Sequence, residues 1–372
     1  MFKVIFTLDY EIHGNGQGSP IKLIVEPTDR ILKLFNKYNA KLTIMADVAE
    51  ILKFKDYYTD TGEDKFAYEK IVQQMHYAIK NNHDVQLHIH SGYFDSTYNG
   101  KEWIQNWEEY NLATLSYDVI FKRIKMCKEY LEDELQKSKK NYNCFAFRSA
   151  NWSMMPTQNI SKALINNNIR IDSSVFKWGK RNGRVKFDYS SAYDQLLPWF
   201  ISQTDVNMSD SNGKLLEIPI YTELKYRYQF ISLVRIYRAI TSLIHKHSKT
   251  RIPINTTHNF NKNKNSIIKN MNKQIFKKIA WKLDFNQATG NQLIKALKNI
   301  NLNYGNMGVP IPIVLIGHSK SFINLNEWQL KPLLEFISLS NNTFEFSTFD
   351  DLALETYRNM KEKPVIDYYE KG

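Results

Sequence analysis

The sequence predicts an α/β fold built on a parallel sheet or barrel. Two observations carry this expectation. Short apolar runs alternate with amphipathic stretches of helical spacing over the first half of the chain. Charged and hydrogen-bonding residues recur at the ends of those apolar runs. Strands joined through helices of that length run parallel, since a parallel pair needs a crossover of a dozen or more residues. Functional groups in such folds gather at the carboxyl ends of the strands, where these polar residues fall.

The elements follow in order. Lys3–Leu8 reads as an apolar strand, and Pro27–Tyr38 as a helix with Ile31, Leu34, Phe35 and Tyr38 on one stripe and capping oxygens on Thr28 and Asp29. Lys41–Ala46 is the next strand, Phe66–Lys80 a helix carrying Ile71, Met75 and Ile79, and Val85–His90 the third strand. Tyr117–Leu135 is a long amphipathic helix, Asn143–Arg148 a short strand, and Pro156–Asn167 a helix opening on proline, which suits a first turn. Ile169–Val175, Leu215–Ile220 and Ile311–Ile316 are the remaining strands, and Ile231–Lys246 has helical spacing. No internal repeat is present.

The 372 residues suffice for one large domain with a substantial core, and 22 Tyr and 21 Phe argue against disorder. Cys127 and Cys144 are too few for a disulfide framework and lack metal-ligand spacing, so both are expected to be reduced or buried thiols. No signal peptide precedes the first strand and no apolar run reaches the ~18 residues of a membrane span. The cytoplasm is therefore the expected compartment.

The net charge of +12 is concentrated between Tyr221 and Ile300, where sixteen Lys and Arg stand against only Glu223 and Asp284. Residues 226–304 are read as a basic, partly helical insertion in a single domain spanning 1–372, with Asn255–Asn272 its Asn/Lys-rich exposed part. Such a segment suits an anionic membrane surface or a nucleotide diphosphate as well as a solvated face. Few regularly spaced aromatics and no recognisable motif argue against nucleic acid.

Two residue pairs carry the chemical expectation. His88 and His90, two apart on a strand, project to one face about 6.6 Å apart along the chain, so both imidazoles can converge on one ion. Asp9 and Glu11 end an apolar strand, where charged groups need partners. One carboxylate is expected on a divalent metal, with zinc the natural choice for imidazole, and the other as a general base. Arg148 and Asp172 end two further strands, and His318 follows the last strong one; an aromatic, Trp152, lies four residues after Arg148. Trp103, Trp107, Trp152 and Trp178 suit stacking on sugar rings or ordinary packing.

The order of these segments resembles the polysaccharide deacetylase family with the NodB homology domain (carbohydrate esterase family 4). Thr7-Leu8-Asp9-Tyr10-Glu11 resembles its Thr-Phe-Asp-Asp motif, His83–His90 its His-Ser/Thr-x-x-His motif, and Arg148–Trp152 its arginine motif. Asp172-Ser173-Ser174 resembles the aspartate motif and Leu315–His318 the Leu-x-x-His motif. The resemblance covers residues 1–225 and 305–350. Two departures fall on the metal ligands: adjacent aspartates become Asp9-x-Glu11, and histidines four apart become two apart.

The resemblance implies a distorted (β/α) barrel and metal-assisted removal of an N- or O-acetyl group from a carbohydrate. It implies Asp9 as base and Glu11 as carboxylate ligand beside His88 and His90, with Asp9 itself a further candidate ligand. His318 would protonate the leaving amine, tuned by Asp172; Arg148 would hold Asp9 ionised; Tyr10 and Trp152 would touch substrate. A cytoplasmic enzyme of this kind would act on a sugar nucleotide or lipid-linked intermediate of cell-surface polysaccharide assembly. The rival readings are another metal-dependent amidohydrolase, a glycosidase using Asp9 and Glu11 as paired carboxylates, and a carbohydrate-binding relative without activity.

Overall fold

A computed structural model describes residues 1–232, 235–237, 277–340 and 342–358. Most of the Asn/Lys-rich segment and of the expected Ile231–Lys246 helix lies outside the described residues.

In chain order, β1 (Phe2–Tyr10) leads through α1 (Glu26–Asn36) to β2 (Leu42–Asp47), and α2 (Val48–Thr61) and α3 (Tyr68–Lys80) lead to β3 (Asp84–Ile89). A small hairpin, β4 (Thr97–Tyr98) and β5 (Trp103–Ile104), precedes α4 (Tyr117–Leu135), β6 (Ala146–Ser149), α5 (Thr157–Asn166) and β7 (Ile171–Asp172). A second hairpin, β8 (Lys180–Asn182) and β9 (Lys186–Asp188), is followed by β10 (Trp199–Phe200) and β11 (Leu216–Glu217). The remainder comprises β12 (Thr222–Tyr226), β13 (Lys278–Lys282), α6 (Gly290–Tyr304), β14 (Ile311–His318), α7 (Asn324–Ser338) and β15 (Phe344–Phe346).

The main sheet has the order β10-β11-β7-β6-β3-β2-β1-β14. It is parallel except at β10–β11. One edge of β1 is shared: β15 pairs with Phe2–Val4 and β2 takes over from Phe6. The sheet closes on itself because Ile220 and Asp284 each form a parallel bridge to β14. The Tyr221 amide donates to the Val314 carbonyl at 3.3 Å, and the Ile316 amide to the Leu283 carbonyl at 2.9 Å. The expected α/β barrel is therefore present, distorted where β7, β10 and β11 shrink to two residues each.

Burial explains the strand sequences. β2 and β3 are buried at every residue, as central parallel strands covered on both faces must be. Along β1, Phe6 faces outward to the Phe35 ring of α1, with centroids 5.0 Å apart. Tyr10, on the same outward face, donates to Gln74 Oε1 of α3 at 2.7 Å. The intervening odd-numbered residues, Thr7, Asp9 and Glu11, share the opposite face.

Three helices, α2, α6 and α7, and the strand β15 go beyond the sequence expectation. The basic segment is also narrower than 226–304: Trp281, Leu283 and Phe285 are buried, and α6 packs on α7. Cys127 and Cys144 are buried free thiols, as expected. Trp103 is packed among Phe54, Phe66 and Tyr98, which removes it from sugar stacking.

Asp84 begins β3, its Oδ1 accepting from Gln86 at 3.0 Å while its Oδ2 has no hydrogen-bond partner among the described residues. Burial foremost, with the Asp350 charge, raises its pKa to about 6. An unfolded aspartate ionises near pH 4, so the native state holds the extra proton between about pH 4 and 6. Stability from this group falls as pH rises through that window. Asp84→Asn is expected to raise Tm by ~2–4 °C at pH 8 and leave it unchanged at pH 4. Equal Tm values at pH 8 would contradict the assignment.

Candidate metal and catalytic centre

Strand register gathers the polar strand ends. Asp9 of β1 stands opposite His318 of β14, Asp47 of β2 opposite His88 of β3, and His88 opposite Arg148 of β6. Gly317 permits this at β14: a Cβ there would lie 2.1 Å from the Phe285 ring and 2.8 Å from Asn286 Oδ1. That same Asn286 oxygen accepts from the His318 amide at 2.5 Å and fixes the histidine's backbone.

Asp9 is 3 % exposed and lies between two partners. Its Oδ1 accepts from Arg148 Nη1 at 2.9 Å, and its Oδ2 is 3.4 Å from His318 Nε2. Burial pushes the Asp9 carboxyl up, but Arg148 foremost, then His318 and His88, outweigh it and hold the pKa below the usual value. Arg148, fully buried, also donates to Thr7 Oγ1 and to the Ser173 carbonyl. Its planar fork therefore ties β1, β6 and the end of β7 together. Burial lowers the His318 pKa more than Asp9 raises it, so the imidazole is neutral at pH 7.

Glu11, His88 and His90 form a second, adjoining cluster whose ligand atoms all lie within 4.8 Å of one another. Glu11 Oε2 is 2.9 Å from His90 Nδ1 and 3.4 Å from His88 Nε2. Glu11 Oε2 and His88 Nε2 are both buried without a hydrogen-bond partner among the described residues. Each buried polar atom left so carries a cost that a shared cation removes. One carboxylate and two imidazoles are also the donor types that zinc takes, so the residues fit a divalent ion.

The surrounding shell orients the ligands. His88 Nδ1 lies 2.8 Å from the Arg148 carbonyl, which aims Nε2 at Glu11. Asp47 accepts from both the His90 amide and its Nδ1, at 3.0 and 2.8 Å. Lys320 Nζ is 2.5 Å from Glu11 Oε1 and leaves only Oε2 to the histidines. Burial lowers the His90 pKa, but Glu11 and Asp47 prevail and raise it well above the usual value.

Several expectations need correction. Asp9 lies outside the three-residue cluster, its oxygens facing Arg148 and His318, and Glu11 is the carboxylate that lies with His88 and His90 in the group able to hold a metal ion. Asp172 does not tune His318: it accepts from Ser174 Oγ at 2.6 Å and pairs with Glu217, and the carboxylate facing His318 is Asp9. Tyr10 is buried on the helix side and cannot touch substrate from there. Trp152 does border the site, its ring centroid 6.1 Å from that of His318, but the Lys282 ammonium covers one of its faces. Asp47, Glu217, Lys282 and Lys320 escaped the sequence reading. Asp47 and Glu217 end short apolar strands and were open to the rule that selected Asp9, whereas Lys320 and Lys282 follow no such signal.

No family model matches the chain, and no curated protein matches it in sequence. Solved structures similar to it include a probable polysaccharide deacetylase from Pseudomonas aeruginosa PAO1, at 13% identity and TM-score 0.46 over 96% of this chain and 91% of that one. A 4-alpha-glucanotransferase from Thermococcus litoralis is similar at 12% identity and TM-score 0.48, over 97% of this chain and 41% of that one. Puue allantoinase is similar at 12% identity and TM-score 0.44, over 94% and 87%.

Metal binding at this cluster must displace the proton that Glu11 and Asp47 hold on His90. Affinity for zinc is therefore expected to fall as pH is lowered from 8 to 6, with protons released on binding. Asp47→Asn, which loosens the orientation of the His90 ring, is expected to cost roughly 10–100-fold in affinity by calorimetry, outweighing the easier loss of the His90 proton. Unchanged affinity in Asp47→Asn would remove Asp47 from the site.

Proposed function

We propose that the chain is a metal-dependent hydrolase that removes an acetyl group from a carbohydrate. The observation that carries this reading is the Asp9 carboxylate, held by Arg148 and facing His318, beside a three-residue cluster in which Glu11 Oε2 and His88 Nε2 are buried without a hydrogen bond among the described residues. A base alone or a metal site alone fits many chemistries. A base and an acid flanking a metal site fit hydrolysis of an amide or ester.

Glu11, His88 and His90 would hold a divalent ion, which when bound would supply Lewis-acid chemistry for the acetyl carbonyl and the attacking water. Asp9 accepts the water proton as the C–O bond forms, which its lowered pKa allows at neutral pH. His318, neutral at rest and 3.4 Å away, takes that proton from Asp9 and delivers it to the leaving nitrogen as the C–N bond breaks, giving acetate and a free amine. Arg148 keeps the Asp9 carboxylate oriented throughout. The glycosidase alternative leaves His88 and His90 without a role.

A second reading is favoured by Lys320. Its ammonium already neutralises Glu11, as a cation-free relative that binds glycan without hydrolysis would require. Metal content separates the two: protein that binds glycan yet takes up no zinc supports the binding module.

The substrate we favour is a sugar nucleotide or lipid-linked intermediate of cell-surface polysaccharide assembly, met in the cytoplasm. Among the described residues no helix is long and apolar enough to cross a membrane. The basic segment is the proposed contact with anionic lipid or a diphosphate. Neutralising Lys273, Lys277 and Lys278 should weaken binding to phosphatidylserine vesicles; undiminished binding counts against that contact.

Acetate release from N-acetylated sugars tests the reaction itself. Asp9→Asn is expected to lower kcat/KM by about 10²–10⁴-fold while zinc stays bound, and His88→Ala to lose both zinc and activity. Acetate release persisting in both variants would overturn the mechanism.

A further inference from the structure

Lys282 closes β13, in the stretch between residues 226 and 304 that the motif resemblance does not cover. Its ammonium lies 3.4 Å from the centroid of Trp152 and 4.3 Å from that of Phe176. It has neither an ion pair nor a hydrogen bond among the described residues. The neighbouring Arg181 donates to Asn151 Oδ1 at 2.9 Å and likewise has no carboxylate partner there. Asn151 Nδ2 and Trp152 Nε1 are buried donors without acceptors. Lys282, Asn151 Nδ2 and Trp152 Nε1 thus lie at one rim of the site without an acceptor among the described residues, and Arg181, bonded to the same Asn151, adjoins them.

The other cations of the site are spoken for. Arg148 is paired with Asp9 and Lys320 with Glu11. The carboxylate next to Lys282 in sequence, Asp284, accepts from the Asn286 amide and from Gln287. The aromatic faces offset part of the cost of an unpaired ammonium but supply no hydrogen-bond acceptor. Burial foremost, aided by Arg148 and Arg181 and opposed by Asp284 and Asp9, lowers the Lys282 pKa to about 8. The group is still charged at neutral pH. Such a donor set is the complement of an oxyanion.

We propose that Lys282 and Arg181, with Asn151 Nδ2 and Trp152 Nε1, bind an anionic group, carboxylate or phosphate, carried by the sugar substrate. This subsite rests on the reading of the centre as a sugar deacetylase and specifies the class of sugar. Trp152, with one face under the ammonium, acts as the floor of the subsite. Lys282 reaches it from a segment outside the shared motifs, so it would set specificity while the strand-end residues set the chemistry.

The test compares three N-acetylated substrates: a neutral N-acetylglucosamine oligomer, an N-acetylhexosaminuronate and UDP-N-acetylglucosamine. Each is assayed for acetate release by wild type, Lys282→Met and Lys282→Arg, with folding checked by circular dichroism. The ratio of kcat/KM for an anionic to the neutral substrate is expected to fall at least about tenfold in Lys282→Met, chiefly through KM. Lys282→Arg should keep most of the ratio. Loss confined to the uronate identifies a carboxylate, and loss confined to the nucleotide a phosphate. An unchanged ratio for both anionic substrates overturns the subsite. If wild type releases no acetate from any substrate, hydrolysis fails, and calorimetric binding of the two anionic sugars decides the subsite separately. Weaker binding to Lys282→Met than to wild type supports it; equal or absent binding overturns it.

Discussion

Four carboxylates are buried around the carboxyl ends of β1 and β2, and neutralising them shapes the rest of the site. Asp9, Glu11, Asp47 and Glu50 are each less than 5 % exposed. A buried carboxylate is tolerated only when it is paired, hydrogen-bonded or protonated. Each of the four meets that demand differently. Asp9 has Arg148, Glu11 has Lys320, Asp47 has the amide and ring of His90, and Glu50 accepts from the Ile12 amide. Burial foremost, then the charges of Asp47 and Glu11, raises the Glu50 pKa well above its usual value. After these pairings, Glu11 Oε2 and His88 Nε2 still make no hydrogen bond among the described residues, and that unmet polarity supports the proposed metal there.

The barrel makes this crowding achievable. Parallel register sets Asp9 beside His318 and His88 beside Arg148 without any loop having to position them. Sites built on strand ends are held more closely than sites on loops. The two departures from the family spacing are absorbed by the same geometry. Asp9-x-Glu11 keeps both carboxylates on one face of β1, and His88-x-His90 does the same for the imidazoles at the end of β3. Two-residue spacing on a strand thus brings ligand atoms of Glu11, His88 and His90 within 4.8 Å of one another.

Most of the sheet and of the primary site was legible in the sequence. The apolar runs of β1, β2, β3 and β14 have no rival reading, and the residues that end them are the ones that meet. What escaped has physical causes. Helices α2, α6 and α7 lie where the apolar stripe is broken by lysines, tyrosines and asparagines, so helical period alone did not mark them. Tyr10 is turned away from the site because neighbours on a strand point opposite ways, and Asp9 takes the inward face. Asp172 was assigned to His318 by motif order, but β7 stands four strands away from β1 in the sheet and its carboxylate meets Glu217 instead. Lys282 and Lys320 were invisible because pairing across the barrel depends on tertiary closure, and nothing local announces it.

The central claim is that Glu11, and not Asp9, completes a metal centre with His88 and His90. Crystals grown with zinc, with anomalous scattering measured at the zinc edge, test it most directly. The account predicts one peak within about 2.0–2.3 Å of Glu11 Oε2, His88 Nε2 and a His90 nitrogen, with Asp9 still bound to Arg148. A peak ligated by Asp9 in place of Glu11 would contradict it. So would no peak at all, with the Lys320 ammonium left as the only cation on Glu11.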